Sequence, residues 1–315
     1  MTRAFVFPGQ GSQSIGMGKA LKDAYPASAQ VFEAVDEALG EKFSDLVFGG
    51  DEADLQLTRN AQPALMATSM AAVRAIEAES GRPLADLASH VAGHSLGEYS
   101  ALAAAGSIGI GDAARLLRRR GEAMQAAVPV GEGAMAALIG ADMADAAEIA
   151  AAAAEGEVCT VANDNAPGQV VVSGARGAVE RAVEVAKKKG IKRALLLPVS
   201  APFHCPMMAP AAEVMAGALA AVDIRPPAVP LVANVTAQPA TDPNEIRRLL
   251  VDQVTAQVRW RESVAAMAGA GVDELVEAGA GKVLSGLARR IDKALQASAI
   301  GTPDDVAAFV AGLED

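Results

Sequence analysis

Apolar runs of four or five residues alternate with longer stretches of helical periodicity through the first part of the chain. Arg3–Phe7 (RAFVF) reads as a short buried strand, stopped by Pro8 and the turn-forming GQGSQ that follows. Ser28–Leu39 and Pro63–Glu79 carry apolar residues at helical spacing, with Pro63 suited to the first helical position. His90–Gly93 reads as a second strand and Leu96–Ala105 as a helix, and Asp112 is placed to cap a helix reaching about Ala127. Alternation of strand and helix predicts an α/β fold with a parallel sheet.

The middle of the chain has a different order. Ala134–Gly140 reads as strand, Asp142–Ala154 as helix, and Val158–Asn163 and Gln169–Ser173 as two strands joined by a turn-rich link. Ala175–Lys189 is helical and Arg193–Val199 extended. The order β-α-β-β-α-β is that of a ferredoxin-like unit. It is expected as an inserted small subdomain over residues 129–199, with Gly131, Gly133, Pro198 and Pro202 at its hinges. Residues 1–128 and 200–315 would then form the large domain. Its second part predicts helices over Pro206–Val222, Asp242–Val254, Trp260–Ala270 and Lys282–Leu295, and strands over Val229–Asn234 and Val272–Glu277.

Composition narrows the function. Of 315 residues 51% are hydrophobic but only 3% aromatic, so the core must be built from Ala, Val, Leu, Ile and Met. The net charge of −11 argues against nucleic acid or an anionic membrane as the main partner. Cys159 and Cys205 give no disulfide framework, and no Cys/His spacing suggests a metal site. The start lacks the apolar run of a signal peptide, and charge, Gly or Pro interrupts every apolar stretch before it could span a bilayer; a cytoplasmic location is expected.

Gly93-His94-Ser95-Leu96-Gly97 fits G-x-S-x-G between a strand and a helix. Small residues two places either side of a serine permit the sharp turn that exposes its Oγ at a helix N-terminus, and the Leu96 N–H would then face a developing oxyanion. The bland alternative is an ordinary Gly-rich turn. A serine nucleophile needs a base, and the chain has three histidines. His94 adjoins Ser95 and should diverge from it, and His90 sits on the strand leading in. His204, between a strand and a helix, remains as the candidate base. Cys205 abuts it and reads as a small buried hydrophobe.

In the helix from Asp112, Arg120 falls on the stripe of Ala113, Leu117 and Met124. A guanidinium buried there needs acceptors. Periodicity leaves two readings level: a structural ion pair, or an anchor for an anionic substrate. Arg115, Arg118 and Arg119 lie off the stripe and read as solvated.

FPGQGSQ (7–13), TRNAQPAL (58–65), GHSLGEYSAL (93–102), RRRGEAMQ (118–125), NAPGQVVVSG (165–174), PVSAPFH (198–204) and EAGAGKVL (277–284) together resemble the malonyl-CoA:acyl carrier protein transacylases across almost the whole chain. The resemblance implies a hydrolase-like α/β domain carrying a ferredoxin-like subdomain. It implies Ser95 as nucleophile, His204 as base, backbone N–H groups of Gln10 and Leu96 as oxyanion donors, and the carbonyl of Gln253 as the group orienting His204. It turns Arg120 into the malonate-binding arginine, with Gln10, Phe203, Met124 and Gln62 as further substrate-binding positions. Phe203 before His204 resembles the malonyl-type signature. Where the family often has N-x-V-x-W, this chain departs with Ala256-Gln-Val-Arg-Trp260. The implied reaction is ping-pong transfer from malonyl-CoA to acyl carrier protein, with no metal or redox cofactor.

Three other readings compete: a serine esterase, which would orient its histidine with an acid; a non-catalytic carrier-binding protein; and a transacylase for a different extender unit. Because both this chain and acyl carrier proteins are acidic, docking would use local basic patches. Arg115, Arg118 and Arg119 form one; Lys187, Lys188, Lys189, Lys192 and Arg193 form the other, which is favoured slightly because small-subdomain surface should flank the cleft.

Overall fold

A computed structural model of the protein describes residues 1–313. Its strands are β1 (Arg3–Phe7), β2 (His90–Gly93), β3 (Gly133–Ile139), β4 (Cys159–Ala166), β5 (Gln169–Ala175), β6 (Arg193–Leu196), β7 (Leu231–Val232), β8 (Pro239–Ala240), β9 (Glu274–Ala278) and β10 (Gln296–Ile300). Six of them form one sheet in the order β10-β9-β1-β2-β7-β8. Every pair in it is parallel except β7 with β8. The other four form a separate antiparallel sheet in the order β4-β5-β3-β6.

The larger sheet explains the unbroken apolar run of β1. Ala4, Phe5, Val6 and Phe7 are all fully buried, because a central parallel strand is covered on both faces. The helix Thr58–Ser80 has 17 of its 23 residues buried, which is why it is rich in Ala, Met, Ser and Thr all round rather than striped. It packs on the helix Ile110–Ala126, and a Cβ on Gly121 would come 2.6 Å from the Thr58 carbonyl oxygen. Only glycine fits where the two backbones approach so closely.

The smaller sheet uses strict alternation. Ala134, Ala136 and Leu138 of β3 and Val170 and Val172 of β5 pack on the helices Met143–Ala154 and Arg176–Lys188 in a core of their own. Met135 and Val171, pointing the other way, join the large core and line the cleft between the sheets. A period of two thus gives one sheet a structural face and a functional face. The joint is tight at Gly133, where a Cβ would come 2.3 Å from the Pro202 ring.

Several local expectations are corrected. Pro63 lies inside the helix Thr58–Ser80, not at its start, since packing against Gly121 carries the first turns backward to Thr58. Asp112 is in the first turn and Gly109 is the N-cap; the Asp112 carboxylate pairs with Arg115. Arg118 is not simply solvated, for it stacks on Phe43 and pairs with Glu41. The helix expected to reach Leu295 ends at Ile291, and Gln296–Ile300 becomes the edge strand β10. That strand has no β-branched run to announce it; pairing with β9 makes it. A last helix, Pro303–Ala311, follows the Thr302 capping box. Among the described residues no helix is long and apolar enough to cross a membrane.

Candidate active site

β2 ends at Gly93, and the helix Gly97–Ala104 begins four residues later. Between them Ser95 adopts φ 54°, a left-handed conformation unusual for a residue with a side chain. The two flanking glycines make it possible. A Cβ on Gly93 would fall 1.9 Å from the Gly97 carbonyl carbon, and one on Gly97 would fall 2.3 Å from the Phe7 carbonyl oxygen. Asn234, just past β7, secures the turn: its Oδ1 accepts the Ser95 N–H at 2.8 Å and its Nδ2 donates to the Gly93 carbonyl at 2.7 Å. Leu96 heads the helix, where first-turn N–H groups have no partner four residues back. Leu96 and Gln10 both border the cleft.

His204 comes from the loop after β6, 109 residues along the chain, and also has a left-handed backbone at φ 57°. Its Nε2 lies 2.8 Å from Ser95 Oγ and its Nδ1 lies 2.9 Å from the Gln253 carbonyl oxygen. A carbonyl only accepts, so Nδ1 carries the proton and Nε2 is free to take one. Burial, together with the Arg120 charge, pushes the His204 imidazole down to about 3. The sign follows directly: a lowered value keeps the neutral, basic form dominant well below the ordinary 6.5. Acylation of Ser95 by acetyl-CoA, whose acyl group carries no carboxylate, should therefore change less than about threefold between pH 7.5 and 5.5, whereas an unshifted histidine would lose about tenfold. Single-turnover rates across that range check it.

Arg120 is 1% exposed. Its Nη1 donates to Gln62 Oε1 at 3.0 Å, and its Nη2 donates to Gln253 Oε1 at 2.8 Å and to Ser95 Oγ at 3.1 Å. The Tyr99 ring lies 5.9 Å away. Among the described residues no carboxylate pairs with it directly. A buried, preoriented cation thus points at the Ser95 hydroxyl with neutral partners only, an arrangement suited to an anion held beside Oγ.

The cleft that these groups border has a volume of about 1040 Å³. Gln10, Gln62, Ser95, Leu96, Arg120, Met124, Phe203 and His204 all line it, and Gln253 sits fully buried behind them. Met124 Sδ lies 3.8 Å from Gln62 Nε2. His94 turns away from Ser95 Oγ, its Nε2 2.8 Å from Asn165 Oδ1 and its ring against Trp260. Cys205 is buried, its Sγ 3.1 Å from the Pro202 carbonyl oxygen.

Sequence reasoning missed Asn234, Asn165 and Glu98. Glu98 is within reach of it, being the one charged residue in the helix Gly97–Ala104, a signal of the same kind as Arg120. It is buried and accepts from the Asn234 N–H and from Gln253 Nε2. Burial pushes its carboxyl up to about 7, against the pull of those donors and of Arg120. Asn234 has no such signal, since a polar residue at a strand end is ordinary.

Comparison with known proteins agrees with this geometry. The acyl transferase domain family matches residues 4–302. The malonyl CoA-acyl carrier protein transacylase of Bacillus subtilis is 44% identical over 313 residues, covering 99% of this chain and 97% of its own. That of Escherichia coli K12 is 47% identical, covering 97% of each. Among solved structures, the acyl-carrier-protein-S-malonyltransferase of Bartonella henselae superposes with a TM-score of 0.97 at 56% identity over the full length of both chains. A malonyl-transacylase solved in complex with its type II PKS acyl-carrier protein gives 0.95 at 41% identity, covering 99% of this chain and 100% of that one. With matches of this depth over nearly every residue, the chain belongs to the acyl transferase domain family, among the malonyl CoA-acyl carrier protein transacylases.

Proposed function

We propose that the protein moves the malonyl group of malonyl-CoA to the pantetheine thiol of acyl carrier protein for fatty acid synthesis, through a malonyl ester on Ser95. The observation that carries this is the Arg120 fork, buried with no directly paired carboxylate among the described residues and 3.1 Å from the Oγ that His204 activates. His204 Nε2 takes the Ser95 hydroxyl proton as Oγ bonds to the thioester carbon. The N–H groups of Gln10 and Leu96 receive the oxyanion. The carbon–sulfur bond breaks, and the leaving thiolate takes the proton from His204. The carrier thiol then gives its proton to His204, attacks the ester, and Ser95 recovers a proton as its bond to carbon breaks. Arg120 holds the malonyl carboxylate throughout, with Gln62, Met124, Phe203 and Gln10 shaping its surroundings. Gln253 orients His204 through its carbonyl. A dyad suffices because a thiolate is a far better leaving group than an amine, and the proton and acyl transfers call for no metal or redox cofactor.

The site's setting belongs to the same proposal. Residues 129–199 form a ferredoxin-like subdomain on a hydrolase-like domain made of residues 1–128 and 200–315, and the strand order β4-β5-β3-β6 supports it. The reaction is placed in the cytoplasm. Malonyl-CoA should add one malonyl mass to the intact protein, and acyl carrier protein should then remove it and gain it. An esterase would instead lose the adduct rapidly to water with no thiol present; the Gln253 carbonyl on His204 Nδ1, where an esterase would set an acid, favours the transferase.

For docking we favour the lysine patch. Arg118 of the other patch is tied to Glu41 and Phe43, whereas Lys188 at the end of the helix Arg176–Lys188 and Lys192 and Arg193 at the entry to β6 are exposed, and the far end of β6 leads into the cleft wall at Leu197–Ser200. Lys187 and Lys189 pair with Glu184 and Glu148 at the surface, contacts of little strength. Neutralising Lys188, Lys189 and Lys192 together should lower kcat/KM for carrier protein several-fold at low salt, with free pantetheine as acceptor unaffected, since steering charges act on association and are screened within about 10 Å at 0.1 M salt. An equal response of both acceptors would remove the patch from consideration.

A further inference from the structure

One carboxylate stands behind the whole constellation. Glu98, three residues after Ser95, is 1% exposed. One of its oxygens accepts the Asn234 backbone N–H at 2.6 Å and the other accepts from Gln253 Nε2. On its other side the same Gln253 amide accepts from Arg120 through Oε1 at 2.8 Å. A single neutral amide therefore separates two buried groups of opposite charge.

We infer that Glu98 is a specificity-determining positioning residue, the remote counter-charge of Arg120 acting through the Gln253 side-chain amide. The inference rests on the reading of Arg120 as the anchor of the malonyl carboxylate. A guanidinium buried alone is costly, and a nearby carboxylate offsets that cost. A direct pair would fill the fork that the substrate must use. With the amide interposed, the charge is compensated while the fork stays available to an incoming carboxylate.

The relay also has a fixed direction. A carboxylate only accepts and a guanidinium only donates, so the Gln253 amide can sit one way round: Nε2 to Glu98, Oε1 to Arg120. The same Nε2 donates to the Ser95 carbonyl at 2.9 Å, which ties the relay to the backbone of the nucleophile. Gln253 meets His204 only through its backbone carbonyl. The side chain and the main chain of one residue thus serve different parts of the site, and they can be tested apart.

Two variants make that test, assayed at about pH 8, above the value of about 7 to which burial raises Glu98. Glu98→Gln keeps the size and a carbonyl oxygen for the Asn234 N–H but turns an NH2 group on Gln253, which then faces donors on both sides. Gln253→Leu keeps the carbonyl on His204 and deletes the relay; it carries the test should Glu98→Gln fail to fold. In each, the ratio of kcat/KM for malonyl-CoA to that for acetyl-CoA should fall at least about tenfold, mainly through a higher KM for malonyl-CoA, because a buried charged hydrogen-bond network is broken. A folded variant of either kind that keeps the wild-type ratio within about twofold, whatever its overall rate, overturns the inference and leaves Glu98 a structural support. The wild-type protein is measured first. Failure of malonyl-CoA to acylate it would overturn the functional reading itself, a result distinct from an unmoved ratio.

Discussion

Ser95→Ala should form no malonyl adduct, and transfer to carrier protein should fall on the order of 10⁴-fold or more. Ser95 is the group on which the other parts converge: His204 Nε2 lies 2.8 Å from its Oγ, Arg120 donates to it, and Asn234 holds its amide. Cys205, the thiol next to His204 in sequence, is buried with its Sγ against the Pro202 carbonyl, and burial pushes that thiol up from its ordinary value. A thiol kept protonated and out of the cleft cannot substitute. The variant should fold, because the left-handed turn is held by Gly93, Gly97 and Asn234 rather than by the hydroxyl. Intact mass after mixing with malonyl-CoA reads the result, and a stoichiometric adduct on the alanine variant would remove Ser95 from the mechanism.

Arg120→Ala should separate the two acyl groups. Truncating one partner of a buried, hydrogen-bonded charge pair costs about 2–5 kcal/mol, which is roughly 30- to 4,000-fold. Malonyl-CoA presents the carboxylate that completes such a pair; acetyl-CoA presents a methyl group and gains nothing from the guanidinium. Acetyl transfer should thus fall far less, and the malonyl preference should shrink by about two orders of magnitude. Some stability will also be lost, because Glu98 is left buried without its cation and Gln62 and Gln253 lose a donor. A melting curve separates that effect from selectivity. Equal losses for both substrates would make Arg120 a structural residue.

Much of this site is legible in the amino-acid sequence. The glycines at 93 and 97 mark a sharp turn: a Cβ on Gly93 would strike Gly97 within the same five residues, although the clash at Gly97 is with the distant Phe7 carbonyl. The two-residue alternation in β3 and β5 separates helix-facing from cleft-facing positions, because successive side chains leave a strand on opposite sides. Arg120 stands out because its helix is otherwise apolar on that face, and His204 because the chain has only three histidines. The same logic applied to Glu98 finds a buried carboxylate, though not its partners.

Tertiary structure alone decides the rest. Periodicity cannot say whether Arg120 meets a carboxylate or a substrate, since Gln62, Gln253 and Ser95 reach it from 58, 133 and 25 residues away. Asn234 and Gln253 carry no local mark, and both become supports only where β7 and the end of the helix Pro243–Asp252 are brought beside the elbow. The edge strand β10 exists because β9 offers it a ladder, not because QASAI favours extension. Local patterns record what neighbours along the chain must do, such as turn, alternate or bury a face. Charge compensation, hydrogen-bond direction and edge pairing depend on which distant groups are brought together, and only the packed fold specifies them.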